Sequence, residues 1–527
     1  MKKKKKFRKP LPDLQAEKKN RINAALLSKV LVWVIICFGI FLRLRQYLFD
    51  RSLWFDELIL VNYVIKNSFF EFFKPQVNTP TAPLGFLLLQ KIVTQVFGSS
   101  DYALRIIPLL TGIGSIFVFY KIAKYYVGKI AAPIALALFV VSDRLIYYSS
   151  EAKQYSSDVL ITLILYLSAI RFQKRYQKVS NVFLFALAGA LSVWLSHSAV
   201  FILASIGIFL FVSSIYEKNM QKFVKIMIIS LFWLVSFTAF YFVSAKSLAG
   251  SKDLLGYWDY AFMPGFDLSF INIEWLKKAF VGMFRDPLVL FPLWFSIPAF
   301  FAGLGAVLYR SRNNFFILVM PIFFVLIASS FHKYPFIERL LLFIVPVFLL
   351  FITAAIWQIG FRIHKNMKIL GVLLLGIILF NPLKIAGTHV LHPRTREEMK
   401  SVLQYIKDNK KEGDKIYVYH GARDAFDYYA PKYGLDEENS IYGVSSRENW
   451  DKYAEDLNRL KGQKRVWVVF SHVCFWVRGD EQQFFISYLD RIGSRMFSLS
   501  IPETIMKERI IKFPGAVVYL YDFENKY

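Results

Sequence analysis

The stretch that decides the fold runs from Ala24 to Leu42, AALLSKVLVWVIICFGIFL, and Arg43 and Arg45 close it. It approaches the ~20 apolar residues that a helix needs to cross a bilayer. Basic residues precede it and no small-residue cleavage site follows it. The pattern therefore predicts a membrane anchor and not a removable signal peptide.

The composition of the whole chain extends this prediction. Hydrophobic residues make up 56% of the 527 residues and charged residues only 20%, whereas soluble proteins average about 45–50% and about 25%. A soluble fold does not bury such an excess, and disorder requires the opposite composition. The two cysteines, Cys37 and Cys474, form no disulfide framework. We therefore expect a polytopic α-helical membrane protein.

Further apolar runs along the chain predict about eleven spans in total. After the first they cover residues 105–120, 130–147, 157–170, 182–195, 199–216, 224–243, 288–308, 315–331, 340–359 and 369–382.

The net charge of +27 marks topology and does not indicate a nucleic-acid partner, because the basic residues recur between the apolar runs. They all fall on the side of the N-terminus only if Pro83–Phe97 does not span. We therefore predict that this run is an amphipathic or re-entrant helix in the first outer loop, residues 46–104. Because successive connections between spans alternate between the two sides of the membrane, residues 149–156, 245–287 and 332–339 are predicted to lie outside as well.

Three regions follow from these patterns: a basic cytoplasmic N-terminus (1–23), a transmembrane catalytic domain (24–388) and an extracytoplasmic α/β domain (389–527). In the last region, periodicity predicts helices and strands in alternation. The helices are Arg396–Asn409 and Glu481–Ile492, and the strands are Lys415–Tyr419, Arg465–Phe470 and Val517–Tyr521.

Acidic residues in the outer loops are the candidate functional groups. Asp56 and Glu57 follow Leu53-Trp54-Phe55 directly after the first span, and Glu151 lies in the short loop 149–156. Apolar neighbours favour a positioned base or a cation ligand. The alternatives are a favourable helix N-terminus for the acidic pair and a local ion pair with Lys153 for Glu151. For Asp143, pairing with Arg144 is the simplest account.

These residues, with Thr79-Pro80-Thr81-Ala82-Pro83-Leu84, Arg105-Ile106-Ile107-Pro108 and Tyr148-Ser149-Ser150-Glu151-Ala152-Lys153, stand in the order of a known family. Over about residues 25–350, the chain resembles the GT-C class of membrane glycosyltransferases. That superfamily contains the protein O-mannosyltransferases and the bacterial lipid A aminoarabinose transferases. Its bacterial lipopolysaccharide-core transferase-like branch is the most similar.

The resemblance implies an enzyme that takes a sugar from a polyprenyl-phosphate donor at the outer face, with Asp56 as general base. A carboxylate that deprotonates the acceptor hydroxyl permits direct displacement with inversion. Cations stabilise the departing phosphate, and the candidates are Arg105, Arg339 and Lys153. The alternative for the two arginines is interfacial snorkelling or a neighbour effect between Glu338 and Arg339. Glu57 and Glu151 are predicted to contribute to substrate binding. We predict no cofactor, although a divalent cation at Asp56 and Glu151 is compatible with their chemistry.

The chain departs from the family at Thr81-Ala82-Pro83, where relatives carry a basic residue before two prolines. Asn78 and Thr79 nearby offer only neutral hydrogen bonds, so we assign no catalytic role to this segment. His197, at the outer end of a span, has no second ligand at metal-site spacing and is expected to be an interfacial residue.

The predicted function is an inverting glycosyltransferase of the cell envelope, acting on a glycan, lipid or protein hydroxyl in lipopolysaccharide-type biosynthesis. A transporter or flippase of lipid-linked saccharides is the second hypothesis; it predicts charges at the bilayer midplane and discontinuous helices. A receptor or scaffold whose α/β domain does the binding is the third. No P-loop or Rossmann fingerprint is present, which disfavours a nucleotide-dependent reaction.

Overall fold

Apolar helices dominate the computed structural model, which describes residues 14–74, 80–246, 252–265, 270–363, 368–435, 437–473, 479–501 and 515–524. Within these ranges, nine helices are long and apolar enough to cross a membrane. They are Leu26–Leu48, Asp101–Tyr126, Tyr155–Arg175, Ala199–Tyr216, Met220–Ala245, Leu293–Arg310, Arg312–Ser330, Glu338–Arg362 and Ile369–Leu391. The basic start of the chain, Asn78, Thr79 and Cys474 lie outside the described residues.

The about eleven predicted spans correspond to these nine helices and two further elements. The bent pair Ala132–Val140 and Asp143–Ser150, with 61° between its halves, makes a tenth span if it is counted as one. The predicted span 182–195 is the helix Val179–Leu195, which has only 17 residues. The polytopic helical fold is confirmed, with one predicted span shorter than the ~20 residues that a bilayer requires.

Two helices of the first loop pack on each other. The first, Phe55–Lys66, begins one residue before Asp56, and we call it the first-loop helix. The second, Leu84–Phe97, has 14 residues and is the run predicted to lie on the surface. Its Lys91 ammonium donates to the Val64 carbonyl at 2.9 Å, and its Gln90 amide donates to the Leu104 carbonyl at 3.0 Å. These bonds hold both helices against the start of the second long helix.

Close backbone packing brings the loop that carries Glu151 to the same place. A Cβ at Gly112 would lie 2.6 Å from the Ser149 side chain, so only glycine permits this approach. We call residues 151–154 the Glu151 loop. The segment between the spans 220–245 and 293–310 adds two helices, Lys252–Tyr257 and Phe270–Arg285.

The α/β domain contains a five-stranded sheet in the order β2-β1-β3-β5-β4. The strands are β1 Lys415–Val418, β2 Ser440–Tyr442, β3 Val466–Phe470, β4 Ser494–Ile501 and β5 Ala516–Asp522. β1 is parallel to β2 and β3, whereas β5 is antiparallel to β3 and β4. Helices of the domain are Met399–Asn409, Arg423–Tyr429, Asp451–Leu457 and Glu481–Ile492.

The predicted strands and helices of this domain are present, but two strands were not predicted. β2 has only three residues, and β4, SRMFSLSI, is a polar strand at the other edge of the sheet. Neither has the continuous apolar run that identifies a buried strand. The first helix begins at Met399 and not at Arg396, and Glu397 and Glu398 before it accept hydrogen bonds from the first loop.

The α/β domain and the first loop share one apolar cluster. Its members include Leu53, Leu58, Val61, Leu104 and Ala152 on one side and Met399, Val402, Leu403 and Phe426 on the other. The Tyr429 hydroxyl accepts from the Leu53 amide at 2.8 Å and donates to Asp101 at 2.6 Å. The first loop is therefore held between the membrane helices and the α/β domain.

Candidate active site

Asp56 lies in the first turn of the first-loop helix, and its side chain is 23% exposed. Its Oδ2 accepts from Arg339 Nη2 at 2.6 Å, and no other described residue hydrogen-bonds to the carboxylate. Burial raises the pKa of Asp56, but the positive charges of Arg339, Lys153, Arg396 and His472 outweigh that effect, and the pKa lies below its ordinary value. Asp56 is therefore an ionised carboxylate with one oxygen available.

Glu57, the next residue, is fully buried and saturated with donors. Its Oε1 accepts from Arg105 Nε at 2.9 Å and from the Ala152 amide at 2.7 Å. Its Oε2 accepts from Arg51 and Arg105, both at 2.8 Å, and from the Trp54 amide at 3.4 Å. Although burial opposes ionisation, these partners lower the pKa of Glu57 to about 2. This carboxylate joins three segments of the chain and leaves no oxygen for a substrate.

Glu151 is also fully buried, but neither of its carboxylate oxygens has a hydrogen-bond partner among the described residues. Burial and the negative charge of Glu57 raise its pKa, while Arg396, Arg51 and Arg339 act in the opposite direction. The alternative interpretation of Glu151, a local ion pair with Lys153, is absent from the described ion pairs. The carboxyl group thus lies at the site with its hydrogen-bonding capacity unused.

Lys153 is 6% exposed, and its ammonium makes no hydrogen bond or ion pair within the described parts of the chain. Burial lowers its pKa, the negative charge of Asp56 opposes that shift, and the positive charge of Arg339 adds to it. An unpaired buried cation is costly, so this position favours an anionic ligand.

The two arginines predicted to bind phosphate have different surroundings. Arg105 is buried and occupied: besides Glu57, it donates to the carbonyls of Arg51 at 2.7 Å and Ser52 at 3.1 Å. Arg339 donates to Asp56 and hydrogen-bonds to the Tyr155 hydroxyl, and its Nε has no partner among the described residues. It lies 5.4 Å from the Trp54 ring and 5.8 Å from the Trp258 ring. Of the two arginines, Arg339 is thus the one with an unpaired N–H donor. The phosphate-binding roles of both arginines stay predictions.

Residues that were not predicted complete the site. The Arg396 guanidinium lies 3.7 Å from the Trp54 ring centre and 5.8 Å from that of Tyr147. The His472 ring stacks on Phe55 at 3.9 Å. Both residues belong to the predicted α/β domain, far from the first loop in sequence, and no short-range pattern reports such contacts. Arg51, by contrast, lies two residues before the motif Leu53-Trp54-Phe55-Asp56-Glu57, so its proximity to the acids could be inferred from the sequence.

The α/β domain also fixes the start of the first-loop helix. Glu397 Oε2 accepts from the Phe55 amide at 2.9 Å, and its Oε1 is 2.9 Å from His472 Nδ1. The Ser52 hydroxyl donates to Glu398 at 2.6 Å. Since these bonds use backbone and side-chain donors beside Asp56, the domain positions the carboxylate.

A second charged group lies beside the site. Asp143 accepts from Arg144 at 3.1 Å, as predicted, and also contacts His389 at 2.7 Å and Arg394 at 3.2 Å. Arg144 in turn pairs with Asp286. The predicted pair is therefore part of a larger network that joins the bent span to the segment before 293 and to the end of the last span.

No metal site is formed by the described side chains: no three His, Cys, Asp or Glu residues group closely enough to hold an ion. The divalent cation at Asp56 and Glu151 stays a prediction.

The segment Thr81-Ala82-Pro83, which differs from the family pattern, contacts the Glu151 loop through its backbone. The Thr81 carbonyl accepts a hydrogen bond from the Gln154 side-chain amide at 3.1 Å.

Comparison with known families supports the resemblance predicted from the motifs. Residues 81–242 match the family model described as dolichyl-phosphate-mannose-protein mannosyltransferase. This match confirms the resemblance at the level of the GT-C superfamily; the lipopolysaccharide-core branch stays a prediction. A search of curated proteins finds no match to the chain.

Several solved structures resemble the chain at low sequence identity. The oligosaccharyltransferase of Archaeoglobus fulgidus in complex with zinc and sulfate has a TM-score of 0.48 and 11% identity, over 82% of this chain and 67% of that one. ArnT of Cupriavidus metallidurans in the apo state has a TM-score of 0.49 and 10% identity, over 95% and 98%. The same protein bound to undecaprenyl phosphate has a TM-score of 0.47 and 10% identity, over 94% and 98%.

Proposed function

We propose that the protein is a multi-pass membrane glycosyltransferase that moves a sugar from a polyprenyl-phosphate donor to a hydroxyl group. In this proposal the reaction takes place at the outer face of the membrane and inverts the anomeric carbon. The acceptor is a glycan, a lipid or a protein, and the lipopolysaccharide-type pathway of the cell envelope is the proposed setting. The family match over residues 81–242 supports the reaction class.

The observation that carries the proposal is the contrast among the three acids of the site. Glu57 is saturated by two arginines and two backbone amides, and Glu151 is fully buried. Only Asp56 combines partial exposure with an oxygen that no described residue occupies. A general base must reach the proton that it removes, so the geometry favours Asp56.

The cations beside Asp56 suit a phosphate leaving group. Lys153 is 6% exposed and its ammonium takes part in no described hydrogen bond or ion pair, and Arg339 Nε is buried without a hydrogen-bond partner among the described residues. Because these groups are largely withdrawn from water, their interaction with a developing negative charge is stronger than at an exposed surface. The Trp54 and Trp258 rings next to Arg339 provide apolar surface for a lipid-linked substrate.

The proposed reaction is a single displacement. The acceptor oxygen attacks the anomeric carbon while Asp56 takes its proton, and a new carbon–oxygen bond forms. The bond between the anomeric carbon and the phosphate oxygen breaks, and its electron pair leaves with the polyprenyl phosphate. Phosphate is a stable anion that needs little protonation, so one carboxylate is sufficient. Lys153 and Arg339 stabilise the charge that builds on the leaving group.

The test is Asp56→Asn in the purified full-length protein, reconstituted in lipid with radiolabelled polyprenyl-phosphate sugars and extracted membrane acceptors. We expect transfer to fall by about 10²–10⁴-fold, the usual contribution of a general base. Asp259→Asn is the matched control, since Asp259 is an exposed acid in the neighbouring outer segment. Near-normal transfer by the Asp56 variant would remove it as the base. Movement of lipid-linked sugar across vesicles without transfer would favour the flippase.

A further inference from the structure

A group of buried polar side chains lies one helical turn beyond the site just described. Gln154, Asp158 and Thr162 recur every four residues and therefore share one face at the start of the span Tyr155–Arg175. Their exposed fractions are 5%, 7% and 0%. Together with His197, we call them the Asp158 cluster.

Short contacts from two other segments hold this face in place. The Ser196 side chain hydrogen-bonds to Asp158, the Gln154 amide donates to the Thr81 carbonyl at 3.1 Å, and His197 hydrogen-bonds to the Ala82 carbonyl. The cluster therefore lies where the long helix, the segment before the Leu84–Phe97 helix and the turn at 196–198 meet.

Each member keeps one buried atom with no hydrogen-bond partner in the described chain. These atoms are Asp158 Oδ1, Gln154 Oε1, Thr162 Oγ1 and His197 Nε2. Buried polar atoms of native proteins are nearly always paired, so a group of four unpaired atoms indicates a bound species. No ion pair with Asp158 occurs among the described residues.

The chemistry of the four atoms defines what they bind. The Gln154 oxygen is an acceptor, whereas the buried Asp158 carboxyl group, which has no counter-charge among the described residues, can accept and, when protonated, also donate. Burial lowers the pKa of His197 to about 4, so its ring is neutral, and its Nε2 is an acceptor because the other ring nitrogen donates to Ala82. Thr162 can also donate. A ligand for this surface must therefore both donate and accept hydrogen bonds, as the hydroxyl groups of a sugar do.

The cluster is continuous with the proposed reaction centre. Tyr155, three residues before Asp158 on the same helix, has its ring 5.9 Å from the Arg339 guanidinium, which pairs with Asp56. Residues three apart on a helix are neighbours. A sugar whose anomeric carbon faces Asp56 can thus extend its hydroxyls toward Asp158.

We propose that the Asp158 cluster binds the hydroxyl groups of the transferred sugar while the lipid phosphate lies at Lys153 and Arg339. This inference rests on the proposed function and adds the residues that select the donor. It separates two parts of donor recognition: the cluster recognises the sugar, and the cations recognise the phosphate.

The experiment measures the binding of polyprenyl-phosphate hexoses and pentoses, and of the bare polyprenyl phosphate, to the full-length protein in lipid. We expect Thr162→Val and Asp158→Asn each to weaken the best sugar-bearing lipid by about tenfold, or about 1.4 kcal/mol, and to leave the bare phosphate unchanged. Thr353→Val is the matched control, because Thr353 is also fully buried in a span with an unpaired hydroxyl among the described groups.

Equal effects on both lipids, or none on either, would overturn the inference and would indicate internal water only. A wild-type protein that binds no sugar-bearing lipid more tightly than the bare phosphate would also overturn it. If Asp158→Asn fails to fold, as its melting temperature would reveal, the isosteric Thr162→Val decides the test. Sugar-selective binding without any transfer would contradict the proposed function alone, and normal transfer with unchanged selectivity in Thr162→Val would contradict the inference alone.

Discussion

Asp56 and Glu57 are consecutive in the chain, carry the same charge and lie in the same helical turn, yet their surroundings differ completely. Glu57 points into the protein, where five donors meet its two oxygens. Asp56 is partly exposed, and one arginine reaches one of its oxygens. Successive residues of a helix point in different directions, so one acid stabilises the site while its neighbour remains available for chemistry.

Glu57→Gln is expected to have the largest effect among the substitutions that test the different roles of Glu57 and Asp56. It leaves the buried Arg51 and Arg105 without their counter-charge, and the loss of one partner of a buried pair costs about 3–5 kcal/mol. We expect the free energy of unfolding in lipid nanodiscs to fall by this amount. Asp56→Asn, which breaks one partly exposed pair, should cost about 1 kcal/mol or less. Equal melting temperatures for the two variants would refute the division of roles.

Lys153→Met tests whether the ammonium group beside Asp56 supports the transfer reaction. The methionine fills the space of the side chain but removes the unpaired ammonium, and the loss of one charge-stabilising donor typically costs about 10²–10³-fold in rate. We expect transfer to fall toward the lower end of this range, with the fold intact, because the ammonium makes no described internal bond. The measurement is the initial rate of sugar transfer.

Lys333→Met is the control for this substitution, since Lys333 is exposed in the turn between the helices Arg312–Ser330 and Glu338–Arg362. It should leave the rate of transfer unchanged. An equal loss in both variants would mean that general positive charge, and not the Lys153 position, supports the reaction.

The fold and part of the site could be predicted from sequence because their signals are local. Apolar length identifies the spans, the order of the motifs pointed to Asp56 and Glu151, and the family resemblance pointed to Arg339; the structure brings these three residues around one site. The direction of each carboxylate could not be predicted. It depends on Arg105 and on the Ala152 amide, which the fold brings to Glu57 from distant positions.

The α/β domain illustrates the same limit. Its strands were visible as β-rich runs, but its role beside Asp56 depends on Arg396 and on the stacking of His472 on Phe55. These residues carry no periodic or motif signal, and only the packing of the domain on the first loop brings them beside Asp56. Long-range contact therefore decides the part of the site that sequence patterns do not report.

Glu151→Gln tests the third acid, whose charge is buried without a hydrogen-bond partner in the described structure. Removing an unpaired buried charge relieves its desolvation, and an amide of the same shape can also donate. We expect the free energy of unfolding to rise by about 1 kcal/mol at neutral pH, opposite in sign to Glu57→Gln. A loss of several kcal/mol would show that the Glu151 carboxylate is bound as strongly as that of Glu57.

The pH dependence of stability gives the smallest and most specific effect. The pKa of Glu151 is raised in the folded protein, so its ionised form costs stability above that pKa and the cost disappears as the pH falls through it. The pKa of Glu57 falls from 4.5 to about 2, so its contribution persists above 4.5 and is lost only as the pH falls toward 2. We therefore expect the advantage of Glu151→Gln over the wild type to shrink on mild acidification, before the Glu57 network fails. A melting-temperature difference that stays constant from neutral pH down to about 4.5 would contradict the raised pKa of Glu151 and would leave the Glu57 assignment intact.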